Sequence, residues 1–478
     1  MLKIANKESS EQKQKCCIDD ASHFRVGTLV YSRGCLITLF SWLLGGAFVF
    51  NMMEQVMPLL LPLVLRDNGA SNKAIGFIVS SLYMLVNAIA NPIISYKSDR
   101  FRSRWGRRRP FILVTTPCVV LLLAIIPFAP EITQALERVG WLASLLKNSP
   151  ITTLVLVSGI LVVTFQIFNM FISSIYHYLV VDVVPEAFIA RFYGLFQISG
   201  AFAGFAFNYF IFGMAKTHMH EIFIGISVVY GFFITLMCLK VKEGEYPPPN
   251  KKEKSGHWWS GIRNYAVECF GRPLYLVVFF VYSAFQWSMV SHVFLIFLFR
   301  DQMGLTLDQI GKINAFVGAA GILFIYPLGI LVDKFGSHKS LITGMTGFCV
   351  IRFASFFLIN GYWSLLMWNI LWSIPFYLIG LSFVKWTVDL YPRKLYGQFG
   401  SAAAMVSSIG AALFGLLCGL FFDWVKDYRY ALIWPVAFQV LGICGALIVH
   451  RKWKKLGGKE GYQAQCDNIL NVNCNNYG

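Results

Sequence analysis

A carboxyl group lies inside the first long apolar stretch of the chain, at Glu54. Asn51 precedes it on the same helical face, and Pro58 and Pro62 follow it about one and two turns later, where they break the backbone hydrogen bonding. Placing a charge in such an apolar layer costs roughly 2.5–3.5 kcal/mol on insertion scales. We therefore expect either a proton-exchanging Glu54 with Asn51 as a ligand contact, or a Glu that pairs with a neighbouring helix for packing alone.

The fourth apolar stretch carries a polar stripe. Gln166, Asn169, Ser173 and His177 recur at helical spacing, so that they share one face of a helix. Amide and hydroxyl groups in this arrangement suit a ligand that is rich in hydroxyl groups. His177 either titrates near neutrality and takes part in proton transfer, or stays neutral and hydrogen-bonded to a neighbouring helix.

Two further apolar stretches pair an amide with an indole ring. Gln286 adjoins Trp287 in the seventh stretch, and Asn369 lies three residues before Trp372 in the tenth. Aromatic faces that stack on the C–H side of pyranose rings, edged by amide hydrogen bonds, suit a sugar. Packing is the alternative for each Trp, because aromatic residues make up 16% of the chain.

The composition indicates the environment of these side chains. Of the 478 residues, 56% are hydrophobic and 14% are charged, and there are 43 Phe. Apolar stretches of roughly 20 residues, the length that spans a bilayer, recur twelve times along the chain. The sequence therefore predicts an all-α membrane protein with twelve transmembrane helices.

Other classes of function lack their motifs. The eleven cysteines form no metal-ligand pair, and no phosphate-binding loop or catalytic pair of acids or His-Glu-x-x-His helix is present. We expect no metal, no cofactor and no enzyme activity. The net charge of +17 resides largely in Lys and Arg of the loops on one side, which indicates membrane topology rather than nucleic-acid binding.

This charge pattern places both termini in the cytoplasm and predicts a multi-pass protein of a plasma or bacterial inner membrane. Lys- and Pro-rich residues between the sixth and seventh stretches indicate a linker. The predicted parts are a cytoplasmic tail over 1–33, a six-helix bundle over 34–239, a cytoplasmic linker over 240–272, a second six-helix bundle over 273–450 and a cytoplasmic tail over 451–478.

The two predicted bundles repeat each other. Gly76 is followed by Asp99-Arg100 and a basic turn, and Gly311 is followed at nearly the same spacing by Asp333-Lys334 and a similar turn. Asp182-Val-Val-Pro185, which leads to Arg191, has its echo in Asp389-Leu-Tyr-Pro392. Internal repeats of this kind are typical of transporters.

Residues 92–112, which contain Ser-Asp-Arg-Phe-Arg-Ser-Arg-Trp-Gly-Arg-Arg-Arg-Pro, carry a resemblance to known families. The string resembles the loop between the second and third helices of sucrose transporters and of the glycoside, pentoside and hexuronide cation symporters. The twelve-span repeat resembles the major facilitator fold. The resemblance implies a secondary carrier that moves a sugar or glycoside by alternating access.

In those families this loop is a gate on the cytoplasmic side, where charge-assisted hydrogen bonds form a latch between the bundles. A topology signal alone is the alternative. The second pair of repeated segments adds Asp182, Arg191 and Asp389 to the residues that we expect to take part in gating. The resemblance carries the gating role to Asp99, Arg100, Arg107, Arg108, Arg109, Asp333, Lys334 and Lys339.

One difference from the family bears on the coupling ion. Melibiose-type symporters carry cation-binding acids on the second helix, and here the matching positions are Asn87 and Asn91. Amides cannot titrate, so we expect proton coupling through Glu54, with His177 as a second candidate, rather than sodium coupling. The expected partners are a sugar or glycoside, a proton and the lipid bilayer, bound by a monomer.

Three basic or acidic residues of the second bundle leave alternatives open. Lys385 and Asp389 are spaced to pair along one helix, and Arg352, deep in the ninth stretch, is expected to turn inward to a carboxylate such as Asp389. Export of an organic anion that meets Arg352 or Lys385 is the alternative transport function. A transporter-like sensor is a further alternative.

Overall fold

A computed structural model describes residues 24–26, 28–89, 94, 101, 103, 105–138, 153–244, 265–392 and 395–462. Within these residues, twelve helices are long and apolar enough to cross a membrane, which confirms the predicted all-α membrane fold. The spans are α1 Arg33–Asp67, α2 Asn72–Ile89, α3 Arg109–Glu137, α4 Thr153–Val183, α5 Arg191–Lys216, α6 Met219–Lys240, α7 Pro273–Gln302, α8 Leu307–Phe335, α9 Ser337–Leu358, α10 Tyr362–Leu390, α11 Tyr396–Val425 and α12 Tyr428–Lys455.

Several of these helices are locally irregular. The π-helical segments Gly76–Leu82 and Phe207–Ile211 lie in α2 and α5, and α7 tightens into a 3-10 turn at Met289–Ser291. Pro375 lies inside α10, where it cannot donate a backbone hydrogen bond. Irregular backbone inside a membrane is tolerated where protein or a cavity surrounds it, so these segments mark places of close packing or ligand access.

A small hairpin precedes the first span and was not predicted. Its strands, β1 Phe24–Val26 and β2 Leu29–Tyr31, are antiparallel, with Phe24 opposite Tyr31. The Phe24 ring packs edge-on against Phe188, at 4.8 Å between centroids. Part of the predicted N-terminal tail therefore packs against the residues between α4 and α5.

By their internal contacts, the residues form two compact units. The first unit comprises Met1–Met57, Ile89–Phe207 and Thr217–Pro249, and the second comprises Pro58–Ala88, Asn208–Lys216 and Asn250–Gly478. Segments of α1, α2 and α5 thus belong to the second unit. These segments lie toward the side that the charge pattern predicts to be outside, which we call the outer side below.

In the second unit, glycine residues allow the backbones of α2 and α11 to pack closely against each other. A Cβ atom added at Gly76 would collide with the backbone oxygen of Gly415 and would lie 3.3 Å from the Cα of Gly419. At the outer end of this contact, the Asp423 carboxylate accepts hydrogen bonds from the backbone N–H groups of Asn72 and Lys73, both at 2.9 Å. An acidic side chain at a helix N-terminus satisfies free donors and complements the helix dipole.

The repeat seen in the sequence recurs in these contacts. Gly311 of α8 is pressed against the backbone oxygen of Asn208 in α5, as Gly76 is against α11. Gly200, by contrast, faces the Asn51 side chain of α1, and a Cβ atom there would lie 3.1 Å from it. The segments Gly200-x-x-x-Gly204 of α5 and Gly415-x-x-x-Gly419 of α11 therefore make different contacts: the α11 glycines meet backbone, and the α5 glycines meet the polar side chains of Asn51 and Gln55.

We predict that Gly76→Ala destabilises the protein by about 1–3 kcal/mol, because an added methyl group must displace backbone rather than a flexible side chain. Thermal unfolding of the purified protein, followed by intrinsic fluorescence, measures this loss. Gly318→Ala is the matched control, since no atom lies within 4 Å of a Cβ at that helical position. Equal unfolding temperatures for the two variants would contradict the close contact.

Candidate functional site

The predicted Glu54 of α1 and Asn169 of α4 are in contact within the first unit. The Asn169 amide Nδ2 donates a hydrogen bond to Glu54 Oε1 at 2.7 Å. Asn169 is 4% exposed, whereas Glu54 remains partly exposed. The predicted Asn51 donates its amide to the backbone oxygen of Ala47 in its own helix, at 2.8 Å. The acid is therefore held by one amide while part of its surface stays accessible.

Unpaired acceptor atoms lie along the same face of α4. Among the described residues, Asn169 Oδ1 and Gln166 Oε1 are buried and receive no hydrogen bond. Buried acceptors without donors are uncommon in proteins, and they indicate a place where water, an ion or a ligand binds. Together with the Glu54 carboxyl group, these two amide oxygens form a set of acceptors that suits a ligand carrying O–H donors.

Tyr230 of α6 also belongs to this group and was not predicted. It is fully buried, interacts electrostatically with Glu54, and its hydroxyl has no hydrogen-bond partner among the described residues. Tyrosine hydroxyls inside proteins usually find a partner. The sequence signal was weak, because a lone Tyr in an apolar helix is indistinguishable from a packing residue.

The predicted His177 lies elsewhere. It is eight residues, about 12 Å, further along α4 than Asn169, and its ring lies 6.3 Å from Tyr193 and 5.5 Å from Phe196 between centroids. Ser173, between the two, is partly exposed. The structure thus does not bring the two coupling candidates, Glu54 and His177, together, and it places the imidazole among aromatic rings.

In the second unit, Trp287 packs against the neighbouring helices. Its ring packs against Gly410 of α11 and contacts the rings of Phe414 and Phe438. Its indole N–H donates a hydrogen bond to the Ser407 backbone oxygen at 3.0 Å. These contacts use both the face and the donor of the ring, so they give no support to the predicted sugar contact. Gln286 beside it is partly exposed, and Asn369 of α10 is buried.

The expected pairing of Arg352 with Asp389 is wrong. The Arg352 guanidinium of α9 instead lies over the Trp372 ring, 4.1 Å from its centroid, and its Nη2 is 3.3 Å from His292 Nε2. Asp389 accepts from the Ser337 hydroxyl near the opposite end of α9. Arg352 is fifteen residues from Ser337, roughly 22 Å along a helix, which is too far for the expected pair.

The basic turn before α3 is held by acids of its own unit. Arg107 Nε and Arg108 Nε donate to Asp182 Oδ2 at 2.9 and 3.1 Å. The backbone N–H groups of Arg107, Arg108 and Arg109 donate to Glu243, which follows α6. These contacts fix the turn within the first unit, whereas the predicted latch was to join the two bundles.

The second copy repeats part of this arrangement. Asp389 at the end of α10 accepts from Ser337 at the start of α9, as Asp182 at the end of α4 holds the residues at the start of α3. The predicted pairing of Lys385 with Asp389 is wrong, because Lys385 donates to Asp333 of α8. The Asp333 carboxylate lies close to the end of α8 at Phe335.

Three of the remaining gating candidates contact rings or backbone within the described part of the chain. The Arg191 guanidinium lies 5.5 Å from the Phe188 ring, and the Lys334 amine lies 5.8 Å from the ring of Phe335. Arg109 donates to the Cys238 backbone oxygen, and Lys339 is exposed. Asp99 and Arg100 lie outside the described residues, so their gating role stays a prediction.

Comparison with known proteins identifies the family. A sequence profile of the Major Facilitator Superfamily matches residues 42–415 and 298–455. The chain belongs to the major facilitator superfamily. Membership in this superfamily, with its twelve spans, makes the protein an integral, multi-pass membrane transporter.

Individual members of the superfamily resemble the chain over different extents. Solute carrier family 45 member 3 of Mus musculus is 30% identical over 102 residues, which cover 21% of this chain and 16% of that relative. A bacterial homolog of the human lysosomal transporter Spinster shares the fold with a TM-score of 0.63 at 14% identity, over 89% of this chain and 98% of that one. The xylose transporter XylE of E. coli shares the fold with a TM-score of 0.59 at 14% sequence identity, over 86% of this chain and 94% of that one.

We predict that Glu243→Gln lowers the stability of this superfamily member by about 1–2 kcal/mol, because three N–H groups at the start of α3 lose a charged acceptor. Thermal unfolding measures the loss. Glu221→Gln, the same change at an exposed acid in the first turn of α6, is the control and should change the unfolding temperature much less, because Glu221 accepts no row of N–H groups from any other described helix. A Glu243→Gln protein as stable as the control would contradict the capping role.

Proposed function

We infer that this superfamily member carries a sugar or glycoside across the membrane together with a proton, by alternating access. The contact between Glu54 and Asn169 is the observation that carries the proposal. It joins a group that can exchange a proton to a side chain that can bind a hydroxyl group. Proton release and substrate release are then linked, because both act on the same amide.

The chemistry of the first unit favours a neutral substrate that is rich in hydroxyl groups. Glu54, Asn169 and Gln166 present oxygen acceptors, two of which lack donors among the described residues. An organic anion would be repelled by such a set, whereas each sugar hydroxyl can donate one hydrogen bond and accept others. The partial resemblance to a solute carrier and the shared fold with a xylose transporter are consistent with this substrate class.

Export of an organic anion is the alternative function, and the cations that it requires are poorly placed. Arg352 is 2% exposed and is covered by the Trp372 ring, so an anion with an organic body cannot reach its guanidinium without moving that ring. Lys385 is engaged with Asp333. The charge of Arg352 is covered and that of Lys385 is paired with a carboxylate, which leaves the sugar as the favoured substrate.

The proposed proton site consists of Glu54 with Asn169 and Tyr230. When Glu54 is ionised, the Asn169 amide stabilises the carboxylate, and Tyr230, whose hydroxyl has no hydrogen-bond partner among the described residues, interacts with it electrostatically. When Glu54 is protonated, its O–H becomes a donor and Asn169 can rotate its amide toward a substrate. Switching between these two hydrogen-bond arrangements couples the proton to the sugar.

We predict that Glu54→Gln abolishes uphill accumulation of the sugar in proteoliposomes with an imposed pH gradient, because the amide cannot take up a proton. Exchange of labelled for unlabelled sugar should continue, since Gln keeps the size and the acceptor that Asn169 contacts. Glu221→Gln is the matched control and should accumulate sugar as the unaltered protein does. Undiminished uphill uptake by the Glu54→Gln protein would remove Glu54 from the coupling mechanism.

A further inference from the structure

Arg352 carries a positive charge into the interior of the second unit. It lies six residues before the end of α9 at Leu358, about 9 Å into the span from its outer end, and only 2% of its surface is exposed. No carboxylate is paired with it among the described residues, where its guanidinium contacts His292, Phe348 and Trp372. A buried charge without a counter-charge is costly, so we expect a negative partner to bind at this site.

Two buried N–H donors of this cluster also lack acceptors. Arg352 Nε and Trp372 Nε1 donate to no acceptor among the described residues. The guanidinium nevertheless lies directly over the indole ring, 4.1 Å from its centroid. A guanidinium only donates, so its contact at 3.3 Å makes His292 Nε2 the acceptor and leaves that imidazole neutral. The cluster therefore presents an excess of donors and one net positive charge.

Irregular backbone flanks this cluster on two sides. The 3-10 turn Met289–Ser291 interrupts α7 immediately before His292, and Pro375 interrupts the hydrogen bonding of α10 three residues after Trp372. His292 and Trp372 are both partly exposed. Ion sites in membrane transporters are commonly built where helices are interrupted, and this cluster adjoins two such interruptions.

We propose that Arg352, Trp372 and His292 form a binding site for a small inorganic anion of the chloride class. The anion supplies the missing counter-charge and accepts hydrogen bonds from Arg352 Nε and Trp372 Nε1. A small ion at the edge of the stacked pair can accept from both N–H groups, because these lie in the planes of the guanidinium and of the indole ring, whereas the organic body of a carboxylate substrate would have to displace the ring. The site is separate from Glu54 and does not depend on the proposed sugar transport.

The test is a chloride titration of the thermal stability of the purified full-length protein, with sodium gluconate replacing sodium chloride at constant ionic strength. A ligand that binds the native state raises its unfolding temperature in a saturable manner. We expect chloride to do so and gluconate not to. Equal effects of the two salts, or no effect of chloride, would overturn the proposal.

Variants assign the effect to the cluster. Trp372→Phe keeps an aromatic ring under Arg352 and removes one donor to the anion, so the chloride concentration at half-saturation should rise roughly tenfold. Arg300→Gln is the matched control, because Arg300 is already paired with Asp67 and Asp301, and its titration should match the unaltered protein. A Trp372→Phe protein with an unchanged titration midpoint would overturn the site.

Arg352→Met removes the charge and should abolish the chloride response. If this variant does not fold, the location of bromide in a crystal of the unaltered protein decides instead, through its anomalous scattering. Bromide within hydrogen-bond distance of Arg352 Nε and Trp372 Nε1 supports the proposal. Bromide bound only elsewhere contradicts it.

Discussion

Polar groups inside a bilayer are costly unless another part of the protein satisfies them, and the contacts between the helices of this chain follow from that cost. Glu54 of α1 is held by the amide of Asn169 in α4. Arg352 of α9 is covered by the indole ring of α10 and touches the imidazole of α7. These contacts fix the rotation of each helix about its axis, because a different rotation would expose the charge to lipid.

The same requirement acts at the helix ends, where backbone groups need partners. Glu243 accepts hydrogen bonds from three N–H groups at the start of α3, and Asp423 does the same for two at the start of α2. Asp182 and Asp389 hold the starts of α3 and α9 in equivalent positions of the repeat. Asp182 and Asp389, which the internal repeat adds to the predicted gating residues, thus also secure helix ends within each unit.

The sequence was sufficient for the helices and for the polar faces, because apolar length and helical spacing determine both. It also pointed to Glu54 and Asn169 separately. Their contact could not be predicted, because it depends on how α1 and α4 are rotated against each other. Lys385 shows the same difficulty: spacing along α10 favoured Asp389, but the packing of α8 places Asp333 closer. Tyr230 carried no local signal, since its role depends on Glu54 from another helix.

The central claim is that substrate and proton move together, and the most direct measurement is the internal pH of proteoliposomes that contain the purified protein and an enclosed pH-sensitive dye. With no pH gradient imposed, adding a transported mono- or disaccharide outside should acidify the interior, at a rate that saturates with sugar concentration. Sugar entry measured in parallel with no change in internal pH would contradict proton coupling. Acidification driven by an organic acid and by none of the sugars would contradict the proposed substrate.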